Sequence, residues 1–99
     1  MPRVNSEELG RWRTIDASVT LAKFADHAKR DHTFEPIKDQ TTVRWHATVN
    51  GREFELLLTG HKFFDTRAKK GGGGAVDLAM HLLQVDFKAA TGMLRVKNL

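Results

Sequence analysis

The chain contains no cysteine, which excludes a disulfide framework and any thiolate metal site. It has no long apolar run either: nothing approaches the roughly 18–20 residues of a membrane-spanning helix. Its first ten residues, MPRVNSEELG, hold no apolar stretch of the kind that opens a secretory signal. These absences predict a cytoplasmic protein with no membrane partner. The glycines of the chain form neither a phosphate loop closed by Gly-Lys-Ser/Thr nor a G-x-G-x-x-G within a strand–helix–strand unit, so no cofactor is expected. Five histidines are present, but His27 and His32 lie too far apart for one helix face. His46, His61 and His81 fall on separate elements, with no H-E-x-x-H, so no metal site is expected. Asp77 and His81, four apart, allow an acid–base pair or a plain polar pair on a helix surface. No nucleophile or oxyanion donor accompanies them, and no paired carboxylates offer a site for catalytic Mg²⁺. The chain is therefore expected to carry no catalytic residue.

What is present is a basic excess with a definite location. Ninety-nine residues predict one domain over 1–99 with one modest core. Sixteen Lys and Arg against twelve Asp and Glu leave a formal charge of +4, a weak pointer to a polyanionic partner. The segment Gly60–Gly74 holds Lys62, Arg67, Lys69 and Lys70 against the single acid Asp65, whereas Glu7, Glu8, Asp26, Asp31 and Glu35 lie elsewhere.

Asn5 followed by Glu8 has the spacing of a capping box, which predicts a short helix over Ser6–Arg13 with Leu9 and Trp12 on one face. The apolar stripe Val19, Leu21, Ala22, Phe24, Ala25 and Ala28 predicts a second helix over Ser18–Lys29, then a loop over Arg30–Thr33. Pro36 keeps the next segment extended. Thr42–Val49 alternates, with Val43, Trp45, Ala47 and Val49 on one face and Arg44, His46 and Thr48 on the other. Asn50-Gly51 is the signature of a two-residue hairpin turn, because both residues need positive φ. The return strand is Arg52–Thr59, and Lys62–Asp65 adds a third. Lys69–Gly74 reads as a flexible link into a helix over Ala75–Gln84, and Asp86 caps a last helix over Phe87–Leu94. The expected fold is α+β: a three-stranded antiparallel sheet flanked by N-terminal and C-terminal helix pairs.

Two readings stay open for Gly71–Gly74. The glycines can bring backbone N–H groups to a phosphate at a helix N-terminus, or they can simply allow a tight turn packed on the sheet. Arg44, His46, Lys62, Arg67, Lys69 and Lys70, with Phe63 or Phe64 as a stacking plane and Gly72 and Gly73 beside them, form a candidate nucleic-acid site. Single strands need such a combination, a charged track plus faces for bases. The alternative is a solvated hairpin with both rings in the core. Adjacent strand residues point oppositely, so one Phe is expected inside and the other outside.

Residues 62–94, KFFDTRAKKGGGGAVDLAMHLLQVDFKAATGML, resemble the C-terminal half of the zinc-ribbon domain of bacterial replicative primases. They are closer still to the ribbon-like domains that precede toprim modules in plasmid and conjugative-element proteins. Gly73-Gly74-Ala75-Val76-Asp77 matches the segment that opens one helix there, and Asp86-Phe87-Lys88-Ala89-Ala90 the start of the last. The resemblance implies a ribbon-like fold over about residues 15–95 and a role with nucleic acid, single-stranded DNA above all, alongside replication proteins. It also places Arg67 and Lys70 where the family has a zinc-binding Cys pair. Cations cannot ligate zinc, so the resemblance implies a metal-free ribbon held by Trp45, Phe54, Phe63 or Phe64, Leu78, Leu82 and Phe87. The expected function is a non-catalytic DNA-binding accessory in plasmid or mobile-element replication or transfer. The rival is a module that docks on a replication or host protein.

Overall fold

A computed structural model describes residues 4–99. Helix α1 covers Ser6–Thr14. Its capping box is formed: Glu8 N–H donates to Asn5 Oδ1 at 2.8 Å, and Asn5 N–H donates to Glu8 Oε1 at 3.4 Å. The helix inserts Trp12, which is fully buried. Helix α2 covers Ala17–Phe24, capped by Asp16, and buries Ala17, Thr20, Leu21 and Phe24.

Five strands follow: β1 His27–Asp31, β2 Val43–Val49, β3 Arg52–Thr59, β4 Lys62–Asp65 and β5 Lys70–Gly73. They form one antiparallel sheet in the order β1-β2-β3-β4-β5. Helices α3, Ala75–Leu83, and α4, Phe87–Val96, close the chain. The α+β class holds, but the sheet has five strands, not three. Both added strands have a local cause. His27-Ala28-Lys29 alternates with period two as well as fitting a helical stripe, and the sheet wins that competition. Asp26 fastens the segment to the hairpin: its N–H donates to Thr48 O at 2.8 Å, and its carboxylate accepts from Asn50 N–H at 2.9 Å. Ala28 then lies opposite Ala47 on the inner face, and α2 stops at Phe24.

The second added strand is the glycine run. Phe63 pairs with Gly72 and Phe64 with Gly71. A Cβ on Gly72 would stand 3.0 Å from Phe63 Cε1, and one on Gly71 would stand 3.2 Å from Phe64 Cδ1. Each ring thus fills the space of the side chain its partner lacks, Phe63 on the inner face and Phe64 on the outer. A stretch that reads as a flexible link is held as a strand by the two aromatics opposite it.

The inner face carries Ala47, Val49, Phe54, Leu56, Leu58 and Phe63, packed with Leu78, Ala79 and Leu82 of α3 and Ala90 and Leu94 of α4. Burial of each such aliphatic side chain is worth about 1.5–3 kcal/mol. Two expected core residues differ. Trp45 is only partly buried, and Phe87 is 47% exposed because Ala90 and Leu94 are the α4 residues that face inward. Trp12, from α1, is the largest fully buried side chain of the core. No helix among the described residues is long and apolar enough to cross a membrane.

Candidate nucleic-acid interface

The Asn50-Gly51 turn, with φ of 50° and 79°, fixes the register of the central hairpin. With Ala47 and Val49 inward, Arg44, His46 and Thr48 must face outward. Period-two alternation continues across the sheet, so the outer face carries Lys29 and Asp31 of β1, Glu53, Glu55, Leu57 and Thr59 of β3, and Lys62 and Phe64 of β4. Antiparallel sheets tolerate one solvated face, and here that face holds most of the candidate residues.

At one end, Leu57, Thr59, Lys62 and Phe64 form the floor of a groove of about 710 Å³ whose wall is the segment Phe34–Asp39. Phe64 is 42% exposed and Ile37 92% exposed. In mid-sheet, Arg44 reaches Asp31 Oδ2 through both Nε and Nη2, at 2.9 and 2.6 Å, and lies over the Phe34 ring at 5.2 Å. Hydrogen bonds from the Thr33 hydroxyl, Arg44 and the Thr33 amide hold the Asp31 carboxyl far below its ordinary range. Arg44 is therefore neutralised within the protein. At the other end, His27, Lys29, His46, Glu53 and Arg67 surround a depression of about 220 Å³.

The Arg67–Lys70 loop does not act as one basic surface. Asp65, buried at the end of β4, accepts the N–H groups of Arg67 and Ala68 at 2.9 Å each and meets His81 Nε2 at 2.6 Å. Burial opposes its charge, but the bonds from Ala68, His81 and Arg67 outweigh that and keep its carboxyl below the usual carboxylate value. His81 is flanked by Phe54 and Phe63, at ring distances of 5.6 and 5.4 Å. It pairs with Asp65 and not with Asp77, which instead accepts from Gly73 N–H at 3.2 Å. The turn that results sends Arg67 to the outer face, exposes Lys69 in a left-handed conformation with φ 56°, and turns Lys70 toward a hollow shared with Asp77, Met80 and His81.

Phe63 is 6% exposed and packed in the core, so it offers no stacking plane. Phe64 does. Gly72 is wedged between Phe63 and Asp77, and the Gly73 N–H is already taken by Asp77. Gly74, with φ 90°, meets the Trp12 and Arg13 backbone. Packing against protein thus accounts for the glycine run without a phosphate. Among the described residues, no three His, Asp or Glu gather where a metal ion would fit.

The groove wall escaped sequence reasoning because Phe34–Asp39 has no period. A signal was nonetheless present. Leu57 sits in the unbroken run Leu56-Leu57-Leu58, and an apolar residue on the solvent side of a strand implies something beside it. Phe34, apolar and unassigned ahead of Pro36, lines the same groove, while Ile37 stays exposed at its rim. His27 and Lys29 were missed because their segment was assigned to a helix.

No family model matches the chain, and no solved structure matches it. A stretch of 41 residues, 41% of the chain, is 46% identical to part of a 65 kDa protein of Zymomonas mobilis. The matched stretch spans only 7% of that protein's length.

Proposed function

We propose that this chain is a non-catalytic nucleic-acid-binding module that takes unpaired DNA on the outer face of its sheet. The observation that carries the reading is Phe64, an exposed ring set in a groove beside Lys62, Leu57 and Phe34. Base–aromatic stacking is worth about 1–3 kcal/mol per base and tolerates any sequence. Lys62, which makes no ion pair among the described residues, is placed to meet a phosphate next to a stacked base. The resemblance of residues 62–94 to primase ribbons supports a cytoplasmic accessory role in plasmid or mobile-element replication or transfer, beside replication proteins.

The test is affinity for a fluorescent single-stranded oligonucleotide over a range of salt. Each phosphate contact should contribute a slope of about −0.7 in log K against log salt. Phe64→Ala should weaken binding about tenfold with the slope unchanged, and Lys62→Gln should flatten the slope by about 0.7. Absence of wild-type binding at low salt would overturn the reading. The protruding Ile37 and the apolar groove beside it would then favour docking on a partner protein.

A further inference from the structure

The depression at the far end of the outer face gathers side chains from three elements. In the sheet, His27 stands opposite Thr48 and Lys29 opposite His46, and on the other side of β2 Thr48 pairs with Glu53 and His46 with Glu55. Arg67 joins them from the turn after β4, over a floor of sheet backbone at Ala47 and Phe54. His27, Lys29, His46 and Arg67 are all exposed, so each can turn toward a ligand.

We infer that this depression is a phosphate site that fills when its histidines are protonated. The inference rests on the nucleic-acid reading above and extends it to a second point on the same face. The charges around the site decide its character. His46 Nε2 lies 3.6 Å from Asp31, and His46 Nδ1 lies 3.9 Å from Glu55. Asp31 is matched by Arg44, and Glu55 also accepts from the Thr66 hydroxyl at 2.9 Å. With both histidines neutral, the formal charges of Lys29 and Arg67 and of nearby Glu53 and Glu55 sum to zero, and the depression has no net charge to draw an anion. A histidine gains charge over the range of about pH 8 to 5. Protonation of His27 and His46 adds two positive charges around a space of about 220 Å³, the one on His46 lying beside Asp31 and Glu55. Imidazolium, ammonium and guanidinium groups together offer the charge-assisted donors that a phosphate accepts. A nucleic-acid backbone and free phosphate present the same chemistry.

Oligonucleotide binding by the full chain should be measured at about pH 5.5 and about pH 7.5 for wild type, Phe64→Ala and the double variant His27→Gln/His46→Gln. Inorganic phosphate serves as a second probe, followed through the imidazole resonances by NMR. Phosphodiesters stay ionised throughout, so a pH effect originates in the protein. Wild type should bind about fivefold to tenfold more tightly at the lower pH, and the double variant should lose that gain. Arg67→Gln, which leaves the hairpin untouched, should reduce the gain at the lower pH and covers the case of a misfolded double variant. Binding that responds to Phe64→Ala but stays level with pH overturns this site and leaves the function standing. Phosphate-induced shifts of His27 and His46 at the lower pH, without oligonucleotide binding, overturn the function and leave a site for free phosphate. Absence of both signals overturns both.

Discussion

Gly72 occupies a position where a side chain has no room. An added Cβ would meet the Phe63 ring at 3.0 Å and Asp77 at 3.2 Å, whereas at Gly73 the nearest atom would stand at an ordinary 3.5 Å. Phe63 is locked in the core and cannot retreat, so Gly72→Ala should destabilise by about 1–3 kcal/mol, the usual cost of overpacking. Gly73→Ala, on a similar extended backbone, should change stability by no more than about 0.5 kcal/mol. Urea unfolding of both variants checks this. Equal effects would show that backbone freedom, not the absence of a side chain, is what the run supplies. Four consecutive glycines argue for flexibility when read alone. Their meaning changes once Phe63 and Phe64 are known to lie opposite, and a cross-strand pairing of that kind leaves no local trace.

Among the elements, those carrying a strong period or a turn signature were legible: the Asn50-Gly51 hairpin, the capped α1, and α3 and α4. Two kinds of segment were not. His27–Asp31 satisfies two periods at once, and only its partner β2 decides between them. Phe34–Asp39 satisfies none, and only the groove it forms with Leu57 of another element gives it a place. The same holds for the candidate site. The alternation of Phe63 and Phe64 implies one ring inside and one outside without saying which, and nothing in Asp65-Thr66-Arg67-Ala68 announces the buried clamp to α3 that parts the loop's cations. That clamp makes a testable element. Asp65→Asn keeps an acceptor for the Arg67 and Ala68 amides but leaves His81 without its carboxylate, deep between two rings. The variant should lose about 1.5–3 kcal/mol at neutral pH, the usual worth of a hydrogen bond to a charged group. In the wild type this contribution is present above the ordinary aspartate value of 3.8 and is lost as pH falls below it, because the folded carboxyl is held lower. A loss under about 0.5 kcal/mol by chemical denaturation would mean that the clamp is dispensable.

Across the whole molecule, the two ends of the chain are joined by Glu8 on α1 and Arg95 on α4. Arg95 donates to Glu8 from Nε at 2.8 Å and from Nη2 at 2.7 Å. This paired bonding holds the Glu8 carboxyl down at about 2, from an ordinary value of 4.5. A carboxylate held low stabilises the fold above its unfolded value and ceases to do so as pH drops through its folded one. Glu8→Gln should therefore lower Tm near neutral pH, and the gap from wild type should close between about 4.5 and about 2. Thermal melts across that window provide the measurement. A gap that persists unchanged to the acid end would show that the charge of Glu8 is not what it contributes, since Gln keeps the acceptor for Asn5 N–H.

The sheet is a meander in which every strand pairs with its neighbour in sequence. No pairing waits on a distant partner, so loop closure exacts little entropy and the sheet belongs with rapidly folding, locally connected topologies. A chain emerging from a ribosome can lay down β1 to β5 in order of synthesis. The exposed face is then complete once Gly73 has appeared, before α3 and α4 exist to cover the other side. Until those helices arrive, only α1 and α2 stand against the inner face, and its open remainder is the interval's aggregation hazard.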